Sequence, residues 1–144
     1  MEGVVGQLLS EKNETVATAE SCTGGAVAKM ITSVSGSSAY FEGSIISYSN
    51  QIKINQLQVE ESTLNEYGAV SQQVVEQMAI GVRRNLNTQY GLATSGIAGP
   101  TGGTPEKPVG TIWIATAGPN GVKSKKLNLG YSRERNIHVT SLSV

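Results

Sequence analysis

The stretch TVATAESCTGGAVAKM, residues 15–30, decides the fold class. Its first six residues, TVATAE, are β-branched or small up to Glu20 and read as a short strand. A polar run follows, ESCTGG, and then AVAKM returns to apolar residues at helical spacing. Strand, polar turn and helix in that order are the unit from which layered α/β domains are built. Ser21 or Thr23 is expected to begin the helix, which runs to about Ser33 with Gly24 and Gly25 in its first turn.

Working outward, the same alternation continues. Before the strand, Val4, Val5, Leu8 and Leu9 share one helical face, which predicts a helix over the first dozen residues. After the helix, SVSGSSAYFEG is rich in turn residues, and SIISYS reads as the next strand. NQIKINQL and VEESTLNEYG are short helical segments, the second closed by Gly68. Ser71 then caps the clearest helix, SQQVVEQMAIGVRRNLN, with Val74, Val75, Met78 and Val82 on one face. YGLATSGIAGPTGG is a strand opening into a glycine-rich loop. VGTIWIATAG and VKSKKLNLG are two strands joined by PNG, a hairpin signal, and SRERNIHVTSLSV begins a last helix. The expected architecture is one domain over residues 1–144, a layered α/β/α sandwich on a mixed, mostly parallel sheet.

Bulk composition narrows the function classes. The chain has 144 residues, eleven basic and eleven acidic side chains and no formal net charge. A nucleic-acid surface calls for a basic excess or stripe, and KSKK at 123–126 is too short to be one. No apolar run has the length of a membrane span, and the N-terminal residues lack a basic n-region and cleavage pattern, so neither membrane nor secretory signal is expected. A single cysteine permits no internal disulfide and suits a reducing cytoplasm. One Cys and one His cannot assemble an ordinary zinc site, and no carboxylate cluster argues for magnesium.

Ligands of open α/β sheets bind beyond the carboxyl ends of the strands. Three polar clusters are expected there: ESCTGG, then Tyr48, Ser49, Asn50 and Lys53, then SGIAGPTGG. Each has a plain reading. Ser21 or Thr23 suits a helix cap, Cys22 a small packing residue, Lys53 a solvated charge, Tyr48 a core ring at the rim, and SGIAGPTGG a long turn. The glycine-rich loop has no following Lys-Ser/Thr and is no Walker loop. His138 sits in a polar segment and reads as a surface residue of the last helix. The chemical reading pairs Ser21 as nucleophile with Lys53 as base, which takes the serine proton directly or through Tyr48 as a proton relay. Backbone N–H groups at Thr23, Gly24 and Gly25 would receive an oxyanion. A lysine can serve as the base where burial or a nearby cation lowers its pKa.

Several stretches in fixed order, TAESCTGG, GSSAYFEG, YSNQIK, YGAVS and SGIAGPTGG with KPVGTIWIA, closely resemble the C-terminal domain family of the competence-damage protein CinA. The resemblance runs from the first helix to LGYSRER. Stand-alone members of that family are nicotinamide-nucleotide amidohydrolases, so it implies hydrolysis of the carboxamide of nicotinamide mononucleotide to nicotinic acid mononucleotide and ammonia, with no metal or organic cofactor. It carries the nucleophile onto Ser21 and the lysine and tyrosine onto Lys53 and Tyr48. The family's arginine in a Gly-Asp-Arg segment matches Arg133 of GYSR, with Arg135 two residues on. The substrate phosphate is then expected on the Ser95, Gly96, Ala98, Gly99 and Thr101 loop together with Arg133. The resemblance also implies a cytoplasmic homodimer or larger homo-oligomer, a longer last helix than the one ending at Val144, and, in the larger relatives, a further N-terminal domain. The shorter helix is expected to weaken stability or subunit packing. The rival reading from another class is a non-catalytic nucleotide-binding or assembly module that keeps the pocket.

Overall fold

The computed structural model describes residues 2–144. Helix α1 (Glu2–Lys12) precedes β1 (Val16–Glu20) and α2 (Ala26–Thr32). A single 3-10 turn (Ser37–Ala39) leads to β2 (Phe41–Ile46). Three helices follow in succession, α3 (Asn50–Leu57), α4 (Glu61–Tyr67) and α5 (Gln72–Asn85). The chain closes with β3 (Tyr90–Gly96), β4 (Thr111–Gly118), β5 (Gly121–Asn128) and α6 (Arg133–Ser143).

The five strands form one sheet in the order β2-β1-β3-β4-β5. β1 pairs in parallel with both β2 and β3, whereas β4 runs antiparallel to β3 and to β5. Four strands therefore share one direction and β4 alone opposes them, which is the mixed, mostly parallel sheet expected. The β4–β5 hairpin closes over Pro119 and Asn120, with Gly118 opposite Gly121.

Side-chain alternation divides the core between the two faces. Ala17, Ala19, Ala93, Ala115 and Ala117 lie on one face and pack against Val74, Val75, Met78, Ala79 and Val82 of α5, with Leu57, Val59 and Leu64 alongside. The alanines keep that face shallow, so α5 lies close to the sheet and to α3. A Cβ on Gly81 would strike the carbonyl of Leu57, which explains a glycine inside a helix. On the other face Leu9, Val16 and Tyr40 form one cluster, and Cys22, Ile112 and Ile114 form another. Here α1, α2 and α6 cover the sheet. Among the described residues no helix is long and apolar enough to cross a membrane.

The starts of α2 and β2 differ most from expectation, and Glu20 sets the first of them. Helix α2 begins at Ala26 rather than at Ser21 or Thr23. Gly24 and Gly25 hold left-handed conformations, φ +56° and +104°, so the chain turns before it can wind. The Glu20 carboxylate then accepts from the amides of Gly25, Val27 and Ala28 and caps the helix from the strand end. Strand β2 begins at Phe41, three residues before SIISYS. Its parallel ladder starts where the Tyr40 carbonyl accepts from Val16 N–H, and the Ser47 amide continues it onto the Glu20 carbonyl. Helices α3, α5 and α6 begin as expected, and α4 begins at Glu61, two residues into VEESTLNEYG. Ser71 caps α5 by accepting from Val74 N–H, and Ser49 and Ser132 do the same for α3 and α6.

Candidate active site

The carboxyl ends of β1, β2 and β3 and the first turn of α6 meet at a cleft of about 260 Å³. A larger hollow of about 400 Å³ opens beneath α1 and α6. Aliphatic side chains such as Leu9, Ile31 and Leu92 line it, and among the described residues no hydrogen-bonded nucleophile–base pair does, so the smaller cleft is where chemistry can occur.

Ser21 follows directly on β1. Its amide donates to the Thr94 carbonyl of β3 at 3.0 Å, extending the ladder by one residue and fixing its backbone to the sheet. Lys53 lies one turn into α3, only 1 % exposed. Its Nζ lies 3.1 Å from Ser21 Oγ and 2.7 Å from the Ser47 carbonyl. Neither partner carries a charge. Burial without a counter-ion penalises the ammonium and lowers the Lys53 pKa to about 8. Cys22, between Ser21 and Thr23, is 7 % exposed and lines the same cleft. Burial pushes its thiol up to about 12, so it stays protonated near neutrality.

The cleft mouth is built from α6 and the loops after β2 and β3. Arg133 Nη1 donates to the Gly99 carbonyl at 2.8 Å, and its Nη2 donates to the Tyr48 hydroxyl at 3.3 Å. Tyr48 is 63 % exposed, and its hydroxyl makes no hydrogen bond to Ser21 or Lys53. Of the two expected routes for the serine proton, the relay through Tyr48 is thus not assembled, and Ser21 and Lys53 meet directly. Arg133, not Arg135, lines the cleft, because the Arg135 guanidinium stacks 4.2 Å above the Tyr131 ring. Among the described residues, Lys53 and Arg133 are the only charged side chains lining it, which suits an anionic ligand.

The other expected residues divide. Ser95, Gly96 and Ala98 line the cleft, with Ser95 Oγ donating to the Ala69 carbonyl. Gly99 contributes the carbonyl that holds Arg133. Thr101 is exposed and stands off the cleft. Thr23 turns its side chain inward, 2.7 Å from both Glu20 Oε2 and Thr94 Oγ1. The Gly24 amide donates to the Ser21 carbonyl and the Gly25 amide to Glu20, so neither can receive an oxyanion. The amides of Cys22 and Thr23 have no oxygen partner among the described residues.

Two residues that the sequence reading passed over hold this arrangement. Glu20 is fully buried at the end of β1, and its carboxylate takes the Thr23 hydroxyl and three amides of the α2 start. A carboxylate at the last, inward position of a strand, with two glycines following at Gly24 and Gly25, was the available signal. Asn136, also fully buried, donates to the Ala98 and Tyr131 carbonyls and accepts from the Tyr131 amide. It ties α6 to the glycine-rich loop one turn beyond Arg133. Nothing in its sequence context distinguishes it from a surface asparagine.

Comparison with known proteins agrees with this architecture. A CinA-like protein of Cytophaga hutchinsonii is 52 % identical over 144 residues, all of this chain and 34 % of that protein. A putative competence-damage inducible protein of Halothermothrix orenii is 50 % identical over 140 residues, 96 % of this chain and 34 % of its own length. The chain thus spans about a third of the length of these relatives. The crystal structure of the competence/damage inducible protein CihA from Agrobacterium tumefaciens superposes with a TM-score of 0.97 at 36 % identity, over 99 % of this chain and 87 % of that one. The competence damage-inducible protein A of Klebsiella pneumoniae superposes at 0.95 with 29 % identity, over 99 % and 88 %. The family model for the CinA C-terminal domain matches residues 1–143, and the chain belongs to that family.

Proposed function

We propose that this domain hydrolyses the carboxamide of nicotinamide mononucleotide to nicotinic acid mononucleotide and ammonia. The observation that carries the reading is the buried 3.1 Å contact between Lys53 Nζ and Ser21 Oγ, at a lysine whose charge burial disfavours. Serine is inert without a base, and here a partly neutral amine already lies within reach of its proton. Neutral Lys53 takes the Ser21 proton as Oγ attacks the carboxamide carbon. The negative charge that develops on the carboxamide oxygen falls to the amides of Cys22 and Thr23, which have no oxygen partner among the described residues. The Lys53 ammonium returns the proton to the departing nitrogen, which leaves as ammonia, and the acyl ester on Ser21 remains. Water, deprotonated by Lys53, opens that ester, and the proton comes back to Oγ.

Tyr48 and Arg133 belong to binding in this scheme. Arg133, braced on Gly99, offers its guanidinium to the substrate phosphate, and the Tyr48 ring covers the mouth. No step is routed through a metal or an organic cofactor. The same reading makes the protein a cytoplasmic enzyme that works as a homodimer or larger homo-oligomer. Purified protein incubated with nicotinamide mononucleotide should release ammonia and nicotinic acid mononucleotide in equal amounts. A folded protein that binds the mononucleotide and releases neither would be a binding module instead.

A further inference from the structure

A base that must be neutral to work becomes a cation when its task is done. Hydrolysis of a neutral amide produces a carboxylic acid, and the nearest group able to take the acid's proton is Lys53. The ammonium formed is 1 % exposed and touches only a hydroxyl and a carbonyl, Ser21 Oγ and the Ser47 oxygen. Buried charges are costly unless paired. Among the described residues no acidic side chain lines the cleft, so none of them supplies a partner.

The surroundings of Lys53 hold few groups that could change this. From the turn after β1 comes the Cys22 thiol, which stays neutral well beyond pH 9. The Glu20 carboxylate behind that turn is engaged by Thr23 and the α2 amides. From the β2–α3 connection comes the Tyr48 phenol, and from α6 the Arg133 guanidinium, a second cation. Ser95 on β3 and Ala69 and Val70 before α5 bring no titratable group. Helix α5 packs on α3 through apolar side chains. Its Glu76, Arg83 and Arg84 are bound to Ser124, the Gln89 carbonyl and Gln58.

We propose that the cleft is also a carboxylate receptor: Lys53 in its ammonium form pairs with the carboxylate of the acid product, which holds the enzyme in an inhibited complex that loosens as pH rises. The inference rests on the hydrolase reading for the identity of that acid. No bond is made or broken in the complex; the proton released by the acid resides on Nζ and the carboxylate takes the place of the scissile amide. Acid and amide differ by one group, so the amide, which has no charge to offer, does not share the effect. Carboxylate binding and proton uptake at Lys53 are then linked, each favouring the other to the same extent.

The test is a binding titration of the unmodified protein with nicotinic acid mononucleotide, which is not turned over, beside Ser21→Ala protein with nicotinamide mononucleotide. At pH 7 the acid should bind at least tenfold more tightly than the amide. Between pH 7 and pH 9 its affinity should fall about tenfold, the loss expected for a ligand that needs the protonated form of a group titrating near 8. At pH 9, calorimetry in two buffers of different ionisation enthalpy should record uptake of close to one proton per acid bound. Lys53→Met should lose both the preference and the pH dependence, but the proton count on the unmodified protein stands whether or not that variant folds. Equal affinity for acid and amide at pH 7, or binding of the acid at pH 9 without proton uptake, overturns the inference. Should neither mononucleotide bind, the substrate reading fails, and benzoate against benzamide on the same protein decides the carboxylate claim. Preference for benzoate at pH 7 that vanishes by pH 9 sustains it, and equal or absent binding of the two overturns it.

Discussion

Lys53 has a dissociation constant that the fold has moved, and the rate should follow it. An ordinary lysine, with a pKa of about 10.4, is neutral in only about one molecule in 2,500 at pH 7. With burial bringing Lys53 to about 8, roughly one molecule in ten is neutral there. The sign follows from the role: the active form is the deprotonated one, so kcat/KM rises with pH and levels off above the shifted value. From pH 6 to 7 the rise should be close to tenfold, from 7 to 9 again about tenfold, and beyond 9 slight. Lys53→Arg supplies the complementary perturbation. It keeps the charge, but a guanidinium is neutral in fewer than about one molecule in 100,000 near pH 7, so activity should fall by at least about 10⁴. The assay is continuous ammonia release from nicotinamide mononucleotide between pH 5.5 and 10, with binding of the mononucleotide measured in parallel. A flat profile, or a Lys53→Arg protein with near-normal turnover, would show that the positive charge is what matters and would remove the base from the mechanism.

Three further outcomes follow from the same geometry. Glu20→Ala leaves the Thr23 hydroxyl and the amides of Gly25, Val27 and Ala28 without their acceptor, and at about 1 kcal/mol or more each it should cost at least about 3 kcal/mol in a denaturant melt. A loss below 1 kcal/mol would mean that the α2 start does not depend on it. Cys22→Ala should retain most of the activity, and the native thiol should react with iodoacetamide far more slowly than free cysteine at pH 7.5, since a pKa of about 12 leaves on the order of 10⁻⁵–10⁻⁴ of it as thiolate. Rapid labelling by peptide mapping would contradict that. Arg133→Ala should raise KM for the mononucleotide about 10- to 100-fold, the scale of a charge-assisted bond, with little change for nicotinamide riboside. An equal effect on both substrates would take the phosphate away from Arg133.

Much of this structure is legible in the sequence because local signals and tertiary demands agree. Val74, Val75, Met78 and Val82 recur at helical spacing and are the residues that α5 buries. Ser71 precedes them and caps the helix, and PNG closes the hairpin it announces. The Ser21–Lys53 pair was legible in kind but not in contact. Residues 32 apart meet only because β1 and β2 pair in parallel and α3 folds back over their ends. What was hidden is long-range hydrogen bonding. That the Gly24 and Gly25 amides are spent inside the turn depends on where the Glu20 side chain points, and no spacing rule reports that. Tyr48 shares a motif with Lys53 yet faces Arg133, because the chain turns sharply between Ser47 and the first turn of α3. Asn136 acts through carbonyls 38 and 5 residues away, and its partners exist only once α6 lies over the loop.

The central claim is that Ser21, with Lys53 as its base, opens the amide. Its most direct test is turnover of nicotinamide mononucleotide by the unmodified protein, Ser21→Ala and Cys22→Ala side by side, with ammonia and acid product both read and folding checked by thermal melt. The account predicts equal release of the two products by the unmodified protein, most of that rate from Cys22→Ala, and none above background from a folded Ser21→Ala. Undiminished release from Ser21→Ala, or its loss in Cys22→Ala with Ser21 intact, would contradict it.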